Sequence, residues 1–141
     1  MSNTSLLVDD STTIRSMMMR TIKMIGLNVD TVLEAGDGIE ALAQFADHEV
    51  DVVLMDINMP RMNGVQLLTR MKESERLKHI PIVVASTDGS EKRMEQLREL
   101  GVVGYVRKPF QPEQLRDVLV PILGVTQNAG SIDENGEEDI F

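Results

Sequence analysis

The sequence predicts an α/β protein: a five-stranded parallel sheet, doubly wound, with helices on both faces. Short unbroken apolar runs recur, each ending in polar or charged residues. Residues 6–8 run into Asp9 and Asp10, 52–55 into Asp56, and 80–85 into Ser86 and Thr87. Such runs read as strands buried on both faces. Between them lie segments whose apolar residues repeat every three or four positions, the period of an amphipathic helix. The two patterns alternate with short links, a strand roughly every 25 residues, which implies a parallel sheet with right-handed crossovers.

Each element has its own signals. After the first strand, Asp10 or Ser11 can cap a helix whose face carries Ile14, Met17, Met18, Ile22 and Ile25. Gly26 closes it. The second strand is expected within 29–35, centred on Val32 and Leu33. Gly36, Asp37 and Gly38 make a turn, and a helix over 39–48 should turn Ala41, Leu42, Phe45 and Ala46 inward. The third strand, 52–55, stops at Asp56, and Pro60 forbids a continuing strand or a helix there. Asn63 fits an N-cap for a helix over 64–74 with Leu67, Leu68 and Met71 inward. The fourth helix, 90–100, has only a thin stripe, Met94, Leu97 and Leu100, and should pack on one side. The fifth strand spans 102–107. Pro112 suits the first turn of the last helix, whose stripe is Leu115, Val118, Leu119 and Ile122; Pro121 should kink or fray its final turn.

The 141 residues are enough for one domain with a tail. Apolar content is 42% but aromatics are only 3%, so the core must be aliphatic, with ten Met filling gaps. There is no Cys, which excludes disulfides and thiolate–metal sites. His48 and His79 fit no ligand or triad spacing. Net charge is −9, and every Lys and Arg precedes residue 124. The segment 124–141 holds five acids, Asp133, Glu134, Glu137, Glu138 and Asp139, and no base. It is expected to be a disordered acidic tail after a domain at 1–123. A mildly acidic body argues against nucleic acid as partner. No stretch is apolar enough for membrane insertion, and a cytoplasmic protein is expected.

Placed side by side, the strand ends converge on one carboxyl edge, where open α/β sheets bind ligands. Asp9 and Asp10 end the first strand, Asp56 the third, Ser86 and Thr87 the fourth, and Lys108 the fifth. Crowded carboxylates repel, and such a cluster favours a hard divalent cation such as Mg²⁺. A cation, a lysine and a hydroxyl beside a carboxylate are what phosphoryl transfer to that carboxylate needs. Asp9 and Asp10 alone could be a capping pair, Lys108 alone a surface lysine, and Tyr105 alone half-buried packing. The coincidence of all of them at one sheet edge favours a site.

At this point the sequence resembles the receiver domain of two-component response regulators. The resemblance rests on Val8-Asp9-Asp10-Ser11, on Met55-Asp56-Ile57-Asn58-Met59-Pro60, on Gly64 and Ser86, and on Lys108-Pro109-Phe110, in that order over nearly the whole body. The motif from Asp9 to Arg15 and the lack of an effector domain resemble the stand-alone chemotaxis kind. The resemblance implies a flavodoxin-like (βα)5 fold of strand order 2-1-3-4-5. It implies that Asp56 accepts phosphate from a histidine kinase, and that Asp9, Asp10, Asp56 and the main-chain carbonyl of Asn58 hold Mg²⁺. Lys108 would pair with the phosphoryl oxygens, next to a cis bond to Pro109. Ser86 would move toward the phosphate and Tyr105 would follow it inward, a two-state switch. The output protein would read the face of helix four, strand five and helix five; for a chemotaxis regulator this is the flagellar motor switch. The resemblance also implies that Asn58 and Asp88 tune hydrolysis, and that Thr87, bulkier than the residue usual there, bears on donor access and phosphate lifetime. A monomer is expected.

Other functions compete. A phosphorelay intermediate would use the same site. A Mg²⁺-dependent aspartyl-phosphate phosphatase needs a second acid two residues after the nucleophile, and Asn58 stands there instead. A phosphate-independent scaffold would have no need of Asp10, Asp56 and Lys108 together.

Overall fold

The computed structural model describes residues 3–26 and 29–124. The strands are β1 (Thr4–Val8), β2 (Thr31–Ala35), β3 (Val52–Met55), β4 (Ile82–Ser86) and β5 (Gly104–Arg107). The helices are α1 (Thr12–Met24), α2 (Gly38–Asp47), α3 (Gly64–Lys72), α4 (Glu91–Glu99) and α5 (Pro112–Leu123). All strand pairs are parallel, in the order β2-β1-β3-β4-β5. Apart from Gly124, the segment expected to be a tail lies outside the described residues.

Alternation along the strands splits the core in two. Leu6, Val8, Val53, Met55 and Val84 pack with Ala41 and Phe45 of α2, Leu67, Leu68 and Met71 of α3, and Leu97 of α4. Leu7, Leu54, Val83, Ala85 and Val106 face the other way, onto Met18 and Ile22 of α1 and Leu115, Leu119 and Leu123 of α5. Both layers are almost wholly aliphatic, as the composition required.

Several details differ from expectation. Of the two expected candidates, Ser11 is the one that caps α1, accepting from the Ile14 N–H at 3.2 Å. Ala46 is exposed, because α2 turns only Ala41 and Phe45 fully inward. β2 starts at Thr31 rather than 29; as an edge strand it leaves Val32 and Leu33 half-buried. β4 starts at Ile82. Ile80 is taken into a turn, its N–H bonded to the Leu77 carbonyl, and Pro81 has no N–H to give a ladder. β5 starts at Gly104, because the Val102 N–H still closes the end of α4 on the Leu97 carbonyl. A Cβ on Gly104 would lie 2.4 Å from Val118 Cγ1, so only glycine lets α5 approach β5 this closely. α5 does not fray at Pro121. It runs on to Leu123, which is buried, and Gly124 closes it on the Val120 carbonyl.

Candidate functional site

The sheet delivers the charged residues to one edge by continuing its ladder one step past the strands. The Asp9 N–H donates to the Ala35 carbonyl at 3.0 Å, Asp56 to Val8 at 2.9 Å, and Lys108 to Ser86 at 2.8 Å. The backbone of each residue is thus fixed by the strand beside it. The Lys108–Pro109 bond is cis.

Asp9, Asp10 and Asp56 each bring one carboxylate oxygen within 4.8 Å of the others. Asp9 is buried: its Oδ1 accepts from the Ser11 N–H at 2.9 Å and its Oδ2 from Lys108 Nζ at 2.6 Å. Asp10 faces solvent. Asp56 Oδ1 accepts from the Ile57 N–H at 2.8 Å, which leaves Oδ2 toward Lys108 Nζ at 3.5 Å. One lysine therefore bridges two of three acids, and its side chain is only 13% exposed. Burial pushes the Asp56 carboxyl above its ordinary 3.8; the Lys108 charge and the Ile57 N–H pull it back, and the Asp9 charge adds to the rise. The donor set is all carboxylate oxygen, the set a hard cation such as Mg²⁺ takes.

A second group sits at the ends of β4 and β5. Ser86 is fully buried, and its hydroxyl accepts from the Asp88 N–H at 3.3 Å rather than touching the Asp56 carboxylate. Tyr105 pairs beside Val84 on β5. Its hydroxyl donates to the Asp88 carbonyl and reaches the Ser86 carbonyl at 3.4 Å. Burial raises the tyrosine's pKa above 10.0. Thr87 is exposed between them. The Asp88 carboxylate is committed to the start of α4: it accepts from the Ser90 N–H at 3.1 Å and from Arg93 Nε at 3.3 Å, and these contacts hold its pKa below 3.8. Asn58 is exposed on the loop after β3. The loop's far end packs under the site, where a Cβ on Gly64 would lie 2.7 Å from the Asp56 carbonyl oxygen.

Two arginines escaped the sequence reading. Arg15 donates through Nη1 to the Asp9 carbonyl and through Nε to Glu34 at 2.8 Å, tying α1 and β2 to the acidic end of β1. Its place in the opening motif was visible, but its partners were not. Arg61, in the loop after β3, pairs with Asp37 and Glu40 at the start of α2.

The fold and this edge define a flavodoxin-like α/β domain whose β1, β3 and β5 ends share an acidic, lysine-bridged site. The chain belongs to the response regulator receiver domain family, whose model matches residues 6–120. It is similar to the chemotaxis protein CheY1 of Helicobacter pylori, 37% identical over 120 residues, covering 84% of this chain and 95% of that one. The chemotaxis protein CheY homolog of Campylobacter jejuni is 35% identical over 127 residues, covering 89% and 96%. Among solved structures, the chemotaxis response regulator CheY4 of Vibrio cholerae superposes with a TM-score of 0.77 at 32% identity, over 87% of this chain and all of that one. The strand order and the five-helix arrangement are those of this group. Among the described residues, no helix is long and apolar enough to cross a membrane.

Proposed function

We propose that the protein is a stand-alone response regulator whose Asp56 accepts a phosphoryl group from a histidine kinase, and that this switches the binding of an output partner. The observation that supports the reading best is the lysine bridge, Lys108 Nζ within 3.5 Å of Asp56 Oδ2 and 2.6 Å of Asp9 Oδ2. In the transfer, an Asp56 oxygen forms the new bond to phosphorus as the bond from phosphorus to the donor's imidazole nitrogen breaks. The Ile57 N–H orients the carboxylate so that Oδ2 faces the lysine. Lys108, already between the two acids, offsets the negative charge of the incoming group. Asp9, Asp10, Asp56 and the Asn58 main-chain carbonyl would hold Mg²⁺, which would supply charge neutralisation for the transferred group.

On the other side of the edge, Ser86 carries the hydroxyl that responds to phosphate, and Tyr105 reports its state. The geometry fits a coupled pair, since Tyr105 is bound to the backbone at both Ser86 and Asp88. Thr87 and Asn58 flank the opening, where they restrict donor and water. The output face is α4, β5 and α5. The relatives' names favour chemotaxis, and with it the motor switch, over a phosphorelay.

The test is mass spectrometry after incubation with Mg²⁺ and acetyl phosphate. A single phosphate on Asp56, lost in Asp56→Asn and in the presence of EDTA, is expected. Wild-type labelling of Asp56→Asn would refute the assignment.

A further inference from the structure

The loop between β3 and α3 is latched to the start of α2, and the latch centres on Arg61. Arg61 has φ of 61°, left-handed backbone that a side chain other than glycine adopts at a cost. Its guanidinium reaches back to two acids of α2. One is Asp37, whose side chain is only 1% exposed; the other is Glu40, at 3.3 Å. Asp37 Oδ1 caps α2 by accepting from the Glu40 N–H at 2.9 Å. Its Oδ2 is buried, and among the described residues its one partner is the charge of Arg61. Beside this pair the Gly38 N–H donates to the Met62 carbonyl at 2.9 Å. Met62 packs so closely that a Cβ on Gly38 would lie 2.6 Å from its Cγ. At the loop's other end the Gly64 N–H donates to the Ile57 carbonyl at 2.8 Å. The loop from Ile57 to Gly64 is thus held at both ends, and Arg61 carries the strained residue between them.

We infer that Arg61 is a positioning residue: its ion pair with buried Asp37 holds the β3–α3 loop in a strained conformation that sets the site's affinity for a divalent cation. The reasoning is one of compensation. A left-handed arginine persists where its surroundings over-determine it. A buried carboxylate oxygen left without its cation is costly. Each feature is unfavourable alone, and together they fix the loop that carries Asn58 past Asp56. Residues that orient a metal's ligands without touching the metal typically change its affinity at least tenfold when removed. The inference rests on reading the acidic cluster as a Mg²⁺ site.

The experiment compares wild type, Arg61→Gly, Arg61→Lys, Asp37→Asn and the Arg61→Gly/Asp37→Asn pair. Glycine removes the ion pair and relieves the backbone strain, which offsets part of the cost of leaving the Asp37 oxygen without its cation. Asparagine keeps the cap on α2 and removes the charge. Mg²⁺ affinity is measured by calorimetry, and amide exchange at Gly38 and Gly64 by NMR. Expected are Mg²⁺ dissociation constants about tenfold weaker in Arg61→Gly and Asp37→Asn, no further loss in the double variant, and near wild-type affinity in Arg61→Lys. Exchange at Gly38 and Gly64 should quicken in both single variants. Mg²⁺ affinity within twofold of wild type in Arg61→Gly and Asp37→Asn would overturn the inference. Should wild type show no saturable Mg²⁺ binding that Asp10→Ala abolishes, the functional reading fails instead; unchanged exchange at Gly38 and Gly64 would then overturn the latch on its own.

Discussion

Helices α3 and α4 are each nine residues long and lie on the same face of the sheet, yet they are anchored very differently. α3 buries Gly64, Leu67, Leu68 and Met71 and opens with a complete capping box between Asn63 and Gln66. α4 buries only Leu97, with Met94 and Leu100 half-covered. α3 follows Asp56 and rests against its backbone, whereas α4 follows Ser86 and is tied to the site through Asp88 and Tyr105. The difference teaches where motion is cheap. Regions with few buried apolar contacts sit at the low end of local stability. By this measure α3 is firmly anchored beside Asp56, and α4 is loosely anchored beside Ser86 and Tyr105.

The largest expected effects test this contrast directly. Leu68→Ala should cost about 2–5 kcal/mol of stability. Met94→Ala, at a half-covered position of α4, should cost about 1 kcal/mol or less. Denaturant melts of the two variants check this, and equal losses would erase the distinction. Next comes the cation. Mg²⁺ at a hundred times its dissociation constant should add about 2.7 kcal/mol, measured as a rise in melting temperature. Asp10→Ala should abolish that gain and, in EDTA, melt above wild type, because one of three crowded carboxylates is gone. A melting temperature indifferent to millimolar Mg²⁺ would count against the cluster.

A smaller effect is pH-dependent. The Asp56 carboxyl sits above 3.8 in the fold, so the folded protein holds that proton more tightly than the unfolded chain. The group's contribution is fully present below 3.8 and is lost as pH rises through the elevated value. At neutral pH the ionised Asp56 therefore burdens the metal-free fold. Asp56→Asn should melt higher than wild type at neutral pH in EDTA, and the gap should close as pH falls toward 3.8. A gap that widens on acidification would mean that Lys108, not burial, dominates.

Much of this was legible in the sequence because it is linear information. Apolar runs ending in Asp9, Asp56 and Ser86 mark strand ends, and parallel strands place all such ends on one edge. The thin stripe of α4 and the cap at Asn63 follow from the same short-range patterns. What stayed hidden depends on contacts across crossovers. Arg61 and Asp37 lie 24 positions apart and meet only because β1 and β2 set α2 beside the loop after β3. Arg15 stands in the opening motif, but its partner Glu34 comes from β2, 19 positions on. The starts of β4 and β5 shifted because Pro81 lacks a donor and Val102 stays bonded to α4. Those are local competitions that apolar periodicity does not resolve. The order 2-1-3-4-5 came from resemblance, since alternation alone permits other orders.

The most direct test of the account is amide hydrogen exchange with and without Mg²⁺ and acetyl phosphate, comparing α3 with α4 and β5. Phosphorylation should change exchange through 86–107, including Tyr105 and α4, while 64–72 stays as it was. A change confined to α3, or none at α4 and β5 while Asp56 is phosphorylated, would contradict the division between a firmly anchored α3 and a loosely anchored α4.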